Sequence, residues 1–475
     1  MTETNGSYRD LPPLAGICSF AAAAKPGLSV EDCVNRHKRY HYSLKRLHGI
    51  FNAWIPSEPI YELKMAFSLH AHICAEHTAA LRSRIGEMRE PPLGLDKVPD
   101  PKLEIFFDEI LATPSTEERL VGLYEVAIPA LVEALEAHAK ETNPLADHPS
   151  LRIIKFALLE LRELQEFGAE AARALLKPEH EEPMRAWRDG LHSLLLSAGS
   201  LNGTQATDNV SPAWRCYSQK PFQFDGVPKR DERFPDPYNM GVNAEAFLYD
   251  DRFEPEPKTL MMFYKRLREI DVPEMMASII HETSDKPWNY YKDMTRQLWD
   301  EARHAMMGEV GFVDQGIDWK AVMVNFTWSL ALNTQLKPIE RHAVLYYIEQ
   351  GLMPKTGKRF EWEVGLASKN PLSALFQDYD WADEVLHARI GRDWYVAEIG
   401  DPKKAVEYGD DCWSKVLMNW NQWKQDGLTE HRNWWPDLYR QACEQWNISP
   451  NDKVLAYNTS YESIRADLKD ISASG

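Results

Sequence analysis

A chain of 475 residues has room for two or three domains, and its 44% apolar and 27% charged residues match an ordinary globular protein. A formal net charge of −18 argues against a broad nucleic-acid surface, which needs clustered Lys and Arg. No apolar run reaches the ~18 to 20 residues of a bilayer-crossing helix, so no membrane partner is expected.

The first 30 residues read as a leader. Its stretch 14-LAGICSFAAAA-24 lacks the basic start of an export signal. Six cysteines show no Cys-x-x-Cys pairing, which predicts reduced thiols and a cytoplasmic location. Residues 31–197 read as a helical domain of four or more helices. Good helix formers run through 62-ELKMAFSLHAHICAEHTAALRSRIGEMRE-90, Pro91 and Pro92 break the pattern, and 142-TNPLADHPS-150 reads as a turn. Glu76, His77, Glu160 and Glu163 suit a degenerate half of a metal bundle, but no Glu-x-x-His is present there. Residues 198–256, rich in Pro and Gly, read as a linker. Helices return over 257–398. Residues 399–475 are Trp-rich, with 420-WNQWKQDG-427 and 434-WWPDLYRQACEQW-446 predicted as short helices packing back on the body. No strand-period alternation of useful length occurs, so the fold class is all-α.

Of fifteen histidines, only His304 and His387 have a glutamate three residues upstream, and both sit in the same frame, D-E-x-x-H-A-x-x-G, at Asp300 to Gly308 and Asp383 to Gly391. One Glu-x-x-His is weak evidence; two with matching surrounds need a cause. Helices are predicted over 287–308, capped by Ser284 or Asp285, and from Asn370 and Pro371 past His387. Positions i and i+3 lie on one helical face, so Glu301 with His304 and Glu384 with His387 each offer an acid and an imidazole to a divalent metal.

The repeat extends upstream, where aligning Glu274 with Glu340 also aligns Ala277 with Ala343. Counted from the turns, Glu274 and Glu301 fall at one level, as do Glu340 and Glu384. Glu282 and Glu349 are the alternatives. Glu282 lies too near its loop to reach the level of Glu301, and Glu349 cannot share a centre with Glu340, because nine residues turn it to the opposite side. Glu269 is a further contender just before the Asp271–Pro273 break. The set predicts a four-helix bundle with one Glu from each of two helices and Glu-x-x-His from each of the other two.

Residues 257–398 resemble the ferritin-like superfamily of di-iron and di-manganese carboxylate proteins, and 300-DEARHAMMG-308 with 383-DEVLHARIG-391 are similar to the motifs of its uncharacterised bacterial members. The resemblance implies metal ligands Glu274, Glu301, His304, Glu340, Glu384 and His387, with Asp300 and Asp383 holding the ligand imidazoles from behind. It implies two Fe, or Mn or a mixed Mn/Fe pair, with O2 as co-substrate, a small-molecule substrate and an external electron donor, in a monomer or homodimer. The expected activity is an O2-dependent oxidase or oxygenase. Ferroxidase or iron handling, an RNA-modifying hydroxylase and a metal-free scaffold are the competing classes. The aromatics Trp288, Tyr290, Tyr291, Trp299, Trp381 and Trp394 are expected in the core, with one or two walling a substrate pocket or carrying an electron.

Overall fold

The computed structural model describes residue 9 and residues 11–89, 94–205, 214–324, 327–417 and 420–461. The Pro91–Pro92 break, the start of the leader, much of the Gly- and Thr-rich stretch before Trp214 and the last fourteen positions fall outside them. Among the described residues every regular element is helical and none is a strand, so the chain is all-α. It divides into two compact units, Met1–Ile50 with His70–Gln223, and Phe51–Leu69 with Phe224–Gly475. The expected linker 198–256 is thus shared between the two.

The longer helices contributing to the first unit are α1 (Val30–Trp54), α2 (Tyr61–Glu87), α3 (Pro101–Leu111), α4 (Ile128–Glu141), α5 (His148–Leu175) and α6 (Pro178–Ser197). Local signals explain them. Asp100 accepts from the backbone N–H groups of Lys102 and Leu103, Pro101 fits the first turn, and Leu103, Phe106, Phe107 and Ile110 form the buried face of α3. In α5, Leu151, Ile154, Leu158, Leu161 and Leu164 recur at helical spacing and are buried. Glu160 pairs with His77 at 2.6 Å, while Glu76 and Glu163 are exposed.

In the second unit the framework is α7 (Pro255–Arg268), α8 (Asp271–Glu282), α9 (Trp288–Asp314), α10 (Thr327–Gln335), α11 (Pro338–Gly351), α12 (Lys358–Ala367), α13 (Pro371–Gly391), α14 (Pro402–Leu417) and α15 (Trp435–Trp446). Helices α7 and α8 form one helix broken at Glu269 and Ile270. Pro273 is the cause: its ring has no N–H and would meet the carbonyl four residues back, which is that of Glu269. Together α7 and α8 pack on α9, α9 packs on α13, and α11 closes against both α13 and α8, so one interior is shared by all of them.

Helix α9 overruns its expected end at Gly308 by six residues. The glycine serves close packing: a Cβ there would stand 2.2 Å from the Leu267 backbone nitrogen, and one at Gly311 would stand 2.3 Å from the Phe263 ring. Gly391, the matching residue of the second motif, faces Tyr346 of α11 in the same way, with 2.5 Å available. The final G of the repeated frame is therefore the place where each motif helix touches its acid-bearing neighbour. Pro287 is the N-cap residue of α9 and no side chain caps it, whereas Asn370 caps α13 by accepting from the Ser373 N–H at 2.9 Å. Helix α14, whose Ala405, Cys412 and Val416 are fully buried, packs on α11; α15 inserts Trp435, stacked on Tyr439, into the core beside Phe247.

Candidate metal centre

Glu301 and His304 on α9 meet Glu384 and His387 on α13. His387 Nδ1 lies 3.0 Å from Glu301 Oε1 and 3.4 Å from Glu384 Oε2, and His304 Nδ1 lies 3.6 Å from Glu301 Oε2. All four side chains are at most 2% exposed. Two further acids complete the cluster. Glu269, at the break between α7 and α8, brings Oε2 to 3.4 Å from His304 Nδ1. Glu349, near the end of α11, joins from the other side. Two quartets result, Glu269–Glu301–His304–Glu384 and Glu301–Glu349–Glu384–His387, each with one donor atom per residue and all donors within 4.8 Å of one another. Glu301 and Glu384 belong to both.

The structure places two of the acids expected at the centre elsewhere. Glu274 lies five residues beyond Glu269, about 140° further round a helix, and points away from the cluster. It accepts from Lys64 and from Arg230 Nη2 (2.9 Å) and Ser329 (2.7 Å) in a buried network. Glu340 is in the first turn of α11, where Oε2 accepts from the Lys337 N–H at 2.8 Å and Oε1 faces Tyr408 and Lys415. With Glu349 facing inward, Glu340 must face outward, as the nine-residue spacing requires. Glu282 pairs with Arg341. Equal height had pointed to Glu274; the kink at Glu269 decides instead which acid turns inward.

Asp300 and Asp383 stand behind the imidazoles, each serving the opposite motif. Asp383 Oδ2 is 3.2 Å from His304 Nε2, and Asp300 Oδ2 is 3.4 Å from His387 Nε2. Arg303 donates to both aspartates, and Arg296 to Asp300 at 2.9 Å, so four charged groups clamp α9 to α13. With Nε2–H donated to an aspartate, each Nδ1 faces inward, where it carries a proton in the metal-free cluster and would offer its lone pair to a metal that replaces that proton. A buried cation set absent from the pattern reading lies on the other side. Lys358 reaches Asp380 at 2.9 Å and Glu384 at 3.0 Å, and Arg266 pairs with Asp380 and, at 2.9 Å, with Glu269. Part of its trace in the sequence is 265-KRLRE-269, a charged run directly after the apolar-rich 260-LMMFY-264.

Electrostatics follow from this crowding. Burial alone would lower the His304 pKa, but the carboxylates of Asp383, Glu269 and Glu301 raise it to about 10, and His387 is raised well above the ordinary imidazole value by Asp300, Glu301 and Glu384. Burial and the neighbouring Glu384 push Glu349 well above the usual carboxylate range. Glu384 lies well below that range despite its burial, because Lys358 and His387 favour its charge; Arg266 and Lys358 hold Glu269 at about 2. Four glutamates and Asp380 around Lys358 and Arg266 leave the interior short of positive charge, and protons on Glu349 and the imidazoles make up part of the deficit.

The donor set fits a pair of divalent first-row metal ions. Glu269 Oε2, Glu301 Oε1, Glu384 Oε2 and both Nδ1 atoms are buried facing the same small space, where they meet only one another and none makes a well-aligned hydrogen bond. Buried polar atoms are rarely left so, and two dications would satisfy them and bring the charge close to neutral. A different group, Cys33, His138 and Asp147 in the first unit, has a single carboxylate, which already accepts from Cys33 (3.5 Å), Thr142 (3.1 Å) and Arg84 (3.0 Å), although both His138 ring nitrogens make no hydrogen bond.

A cavity of about 290 Å³ opens on the carboxylate side of the cluster. Glu269, Glu301, Glu349 and Glu384 line it and the two histidines do not. Its aromatic wall is Trp328 and Trp413, 4.5 Å apart edge to face. The aromatics singled out in the sequence lie elsewhere: Tyr290 packs on Trp394, and Trp381 on Trp362. No family model, no curated protein and no solved structure matches this chain.

Proposed function

We propose that residues 255–399 hold a ferritin-like dinuclear metal centre, two Fe or alternatively Mn or a mixed pair, in an O2-dependent oxidase or oxygenase acting on a small organic substrate. The observation that carries this reading is the pair of donor quartets sharing Glu301 and Glu384, with buried oxygen and Nδ1 atoms converging between them that meet only one another. Such a pair, when bound, supplies redox chemistry with O2.

The chain's own residues do the rest. Asp300 and Asp383 fix each imidazole so that Nδ1 faces the metals. Arg303 and Arg296 neutralise those aspartates from outside, so the clamp adds no net charge to the interior. Lys358 holds one oxygen of Glu384 and leaves the other free. Gln297 donates to Glu349 Oε1 at 3.2 Å and orients that carboxylate. The histidines stand on the closed side and the four glutamates on the cavity side, which leaves the cavity as the approach for O2 and substrate. An external electron donor is required by an oxygenase of this kind.

The test is elemental analysis after anaerobic loading with Fe(II), followed by exposure to O2 with optical and oxygen-consumption readouts. Two equivalents of iron per chain and O2 uptake that depends on a reductant are expected. Absence of stoichiometric metal would overturn the reading; sustained iron oxidation without a need for reductant or organic substrate would replace it with ferroxidase activity.

A further inference from the structure

The cavity beside the cluster has a chemistry of its own. On the walls between α8, α10 and α11, Val272, Met275, Leu332, Leu345, Ile348 and Leu352 present hydrocarbon, with Trp328 and Trp413 adding indole faces. Val272, Trp328, Ile348 and Leu352 are half-buried, whereas Met275, Leu332 and Leu345 are buried, so the apolar surface runs from the accessible side inward to the acids. A volume of about 290 Å³ stands at the small end of the ~300–1,000 Å³ range of small-molecule sites.

Cations also line the cavity, and each is already neutralised within the protein. Arg268 donates to Glu245 at 2.9 Å and to the Tyr461 hydroxyl, and its guanidinium lies 4.9 Å over the Trp328 ring. Glu245 is held at about 2 by Arg268 and Lys265 in spite of its burial, so the pair stays ionised and internally balanced. Lys265 pairs with Glu361, Arg266 with Asp380 and Glu269, and Lys358 with Asp380 and Glu384. The acid Asp271 shares Arg230 with Glu274 through Oδ1 and leaves Oδ2 buried without a partner, and Ser329 is engaged with Glu274. An anionic group on a ligand, placed anywhere but at the cluster, would have to displace one of these partners or be buried without one, and a cationic group would find only the one Asp271 oxygen of a carboxylate already paired with Arg230; both are costly.

We infer that the occupant of this cavity is a predominantly apolar small molecule that directs one polar group toward the four glutamates and carries no charge at its other end. The inference deepens the oxygenase reading by naming the substrate class; only the direction of the polar group rests on the metals.

The experiment uses the whole metal-loaded chain and the uncharged fluorophore N-phenyl-1-naphthylamine, displaced in turn by 1-octanol, octanoate, octanedioate and 8-aminooctanoate. These share chain length and differ in charge at either end. The fluorophore is expected to bind, 1-octanol or octanoate to displace it, and the two compounds charged at the far end to compete at least about ten-fold more weakly, as an unpartnered buried charge requires. Equal competition by octanedioate or 8-aminooctanoate overturns the inference, as does absence of fluorophore binding. Filling the cavity by Leu345→Trp, and independently by Leu332→Trp, is expected to lower fluorophore affinity at least about ten-fold with metal content unchanged; unaltered affinity in a folded variant would place the bound probe elsewhere and reject the cavity as its site. Metal content is measured on the same samples, so a failed metal centre shows as missing iron while probe binding persists, and a failed substrate class shows as the reverse.

Discussion

His304 and His387 owe their orientation to charge as much as to packing. An imidazole buried among carboxylates either takes a proton or a metal ion, and the aspartate behind Nε2 decides which nitrogen remains available. Replacing His304 or His387 with Ala is therefore expected to remove most bound metal while circular dichroism retains the helical signal. Asp300→Asn keeps the shape but weakens control of the tautomer, so metal affinity should fall about 10- to 100-fold in a chelator competition. The acids separate more sharply. Glu269→Gln and Glu349→Gln should each lower metal content. Glu274→Gln should retain it yet lose about 3–5 kcal/mol in a denaturant titration, because Lys64 and Arg230 lose a buried partner. Glu340→Gln should leave metal content unchanged, since that carboxylate caps the start of α11 and faces Tyr408 and Lys415, away from the cluster. Metal loss in Glu274→Gln with Glu269→Gln unaffected would reverse the assignment of Glu269 as the acid contributed by this helix pair.

Among the helices, the decisive contacts are those where a glycine admits the backbone or a ring of its neighbour. Gly308 lets α9 lie against α7, which ends at the turn carrying Glu269, and Gly391 lets α13 lie against α11, which carries Glu349. Gly308→Ala must part α7 from α9 and is expected to cost about 1–3 kcal/mol, the usual range for overpacking. Its metal affinity should fall as well, because Glu269 moves with α7. Gly351→Ala is the control: nothing lies within 4 Å of its Cβ, and alanine favours the helix by roughly 0.5–1 kcal/mol. Thermal melts of the two variants should move in opposite directions. The same principle accounts for the break at Glu269, where Pro273 ends α7 one residue before the acid that turns inward.

Over the whole molecule, buried neutral histidines set the acid limit. His37, His48 and His70 in the first unit and His342 in the second are each lowered by burial to about 3, against about 6.5 in an unfolded chain. Their folded values are depressed, so their contribution is complete above pH ~6.5 and is lost as pH falls toward 3. Each then weakens the fold by about 1.4 kcal/mol per pH unit across that window. Asp300 and Asp383 are also lowered, by His387 and Arg296 and by His304 respectively, against the effect of their own burial, and their protonation adds to the loss at the acid end. The unfolding midpoint in urea should therefore decline steeply as pH falls below about 6.5. A flat profile down to pH 4 would contradict this account of the interior.

The frame D-E-x-x-H-A-x-x-G, written twice, already contained Glu301, His304, Glu384, His387 and the two aspartates, because i and i+3 share a face on any helix. The all-α class and most helix starts were likewise legible, since caps, prolines and apolar spacing act over a few residues. Within a helix the angle between two side chains follows from their spacing, which is why Glu340 and Glu349 could be seen to exclude one another. Choosing between them, and between Glu269 and Glu274, depends on how each helix is rotated against its neighbours. That rotation is set by contacts such as Gly308 on Leu267 and by the kink that Pro273 imposes. Lys358, Arg266 and Asp380, together with the cavity walled by Trp328 and Trp413, come from elements distant in the chain and carry no shared period. Only the packed structure brings them to one place, because the energy that orders them is that of burial and charge pairing between helices.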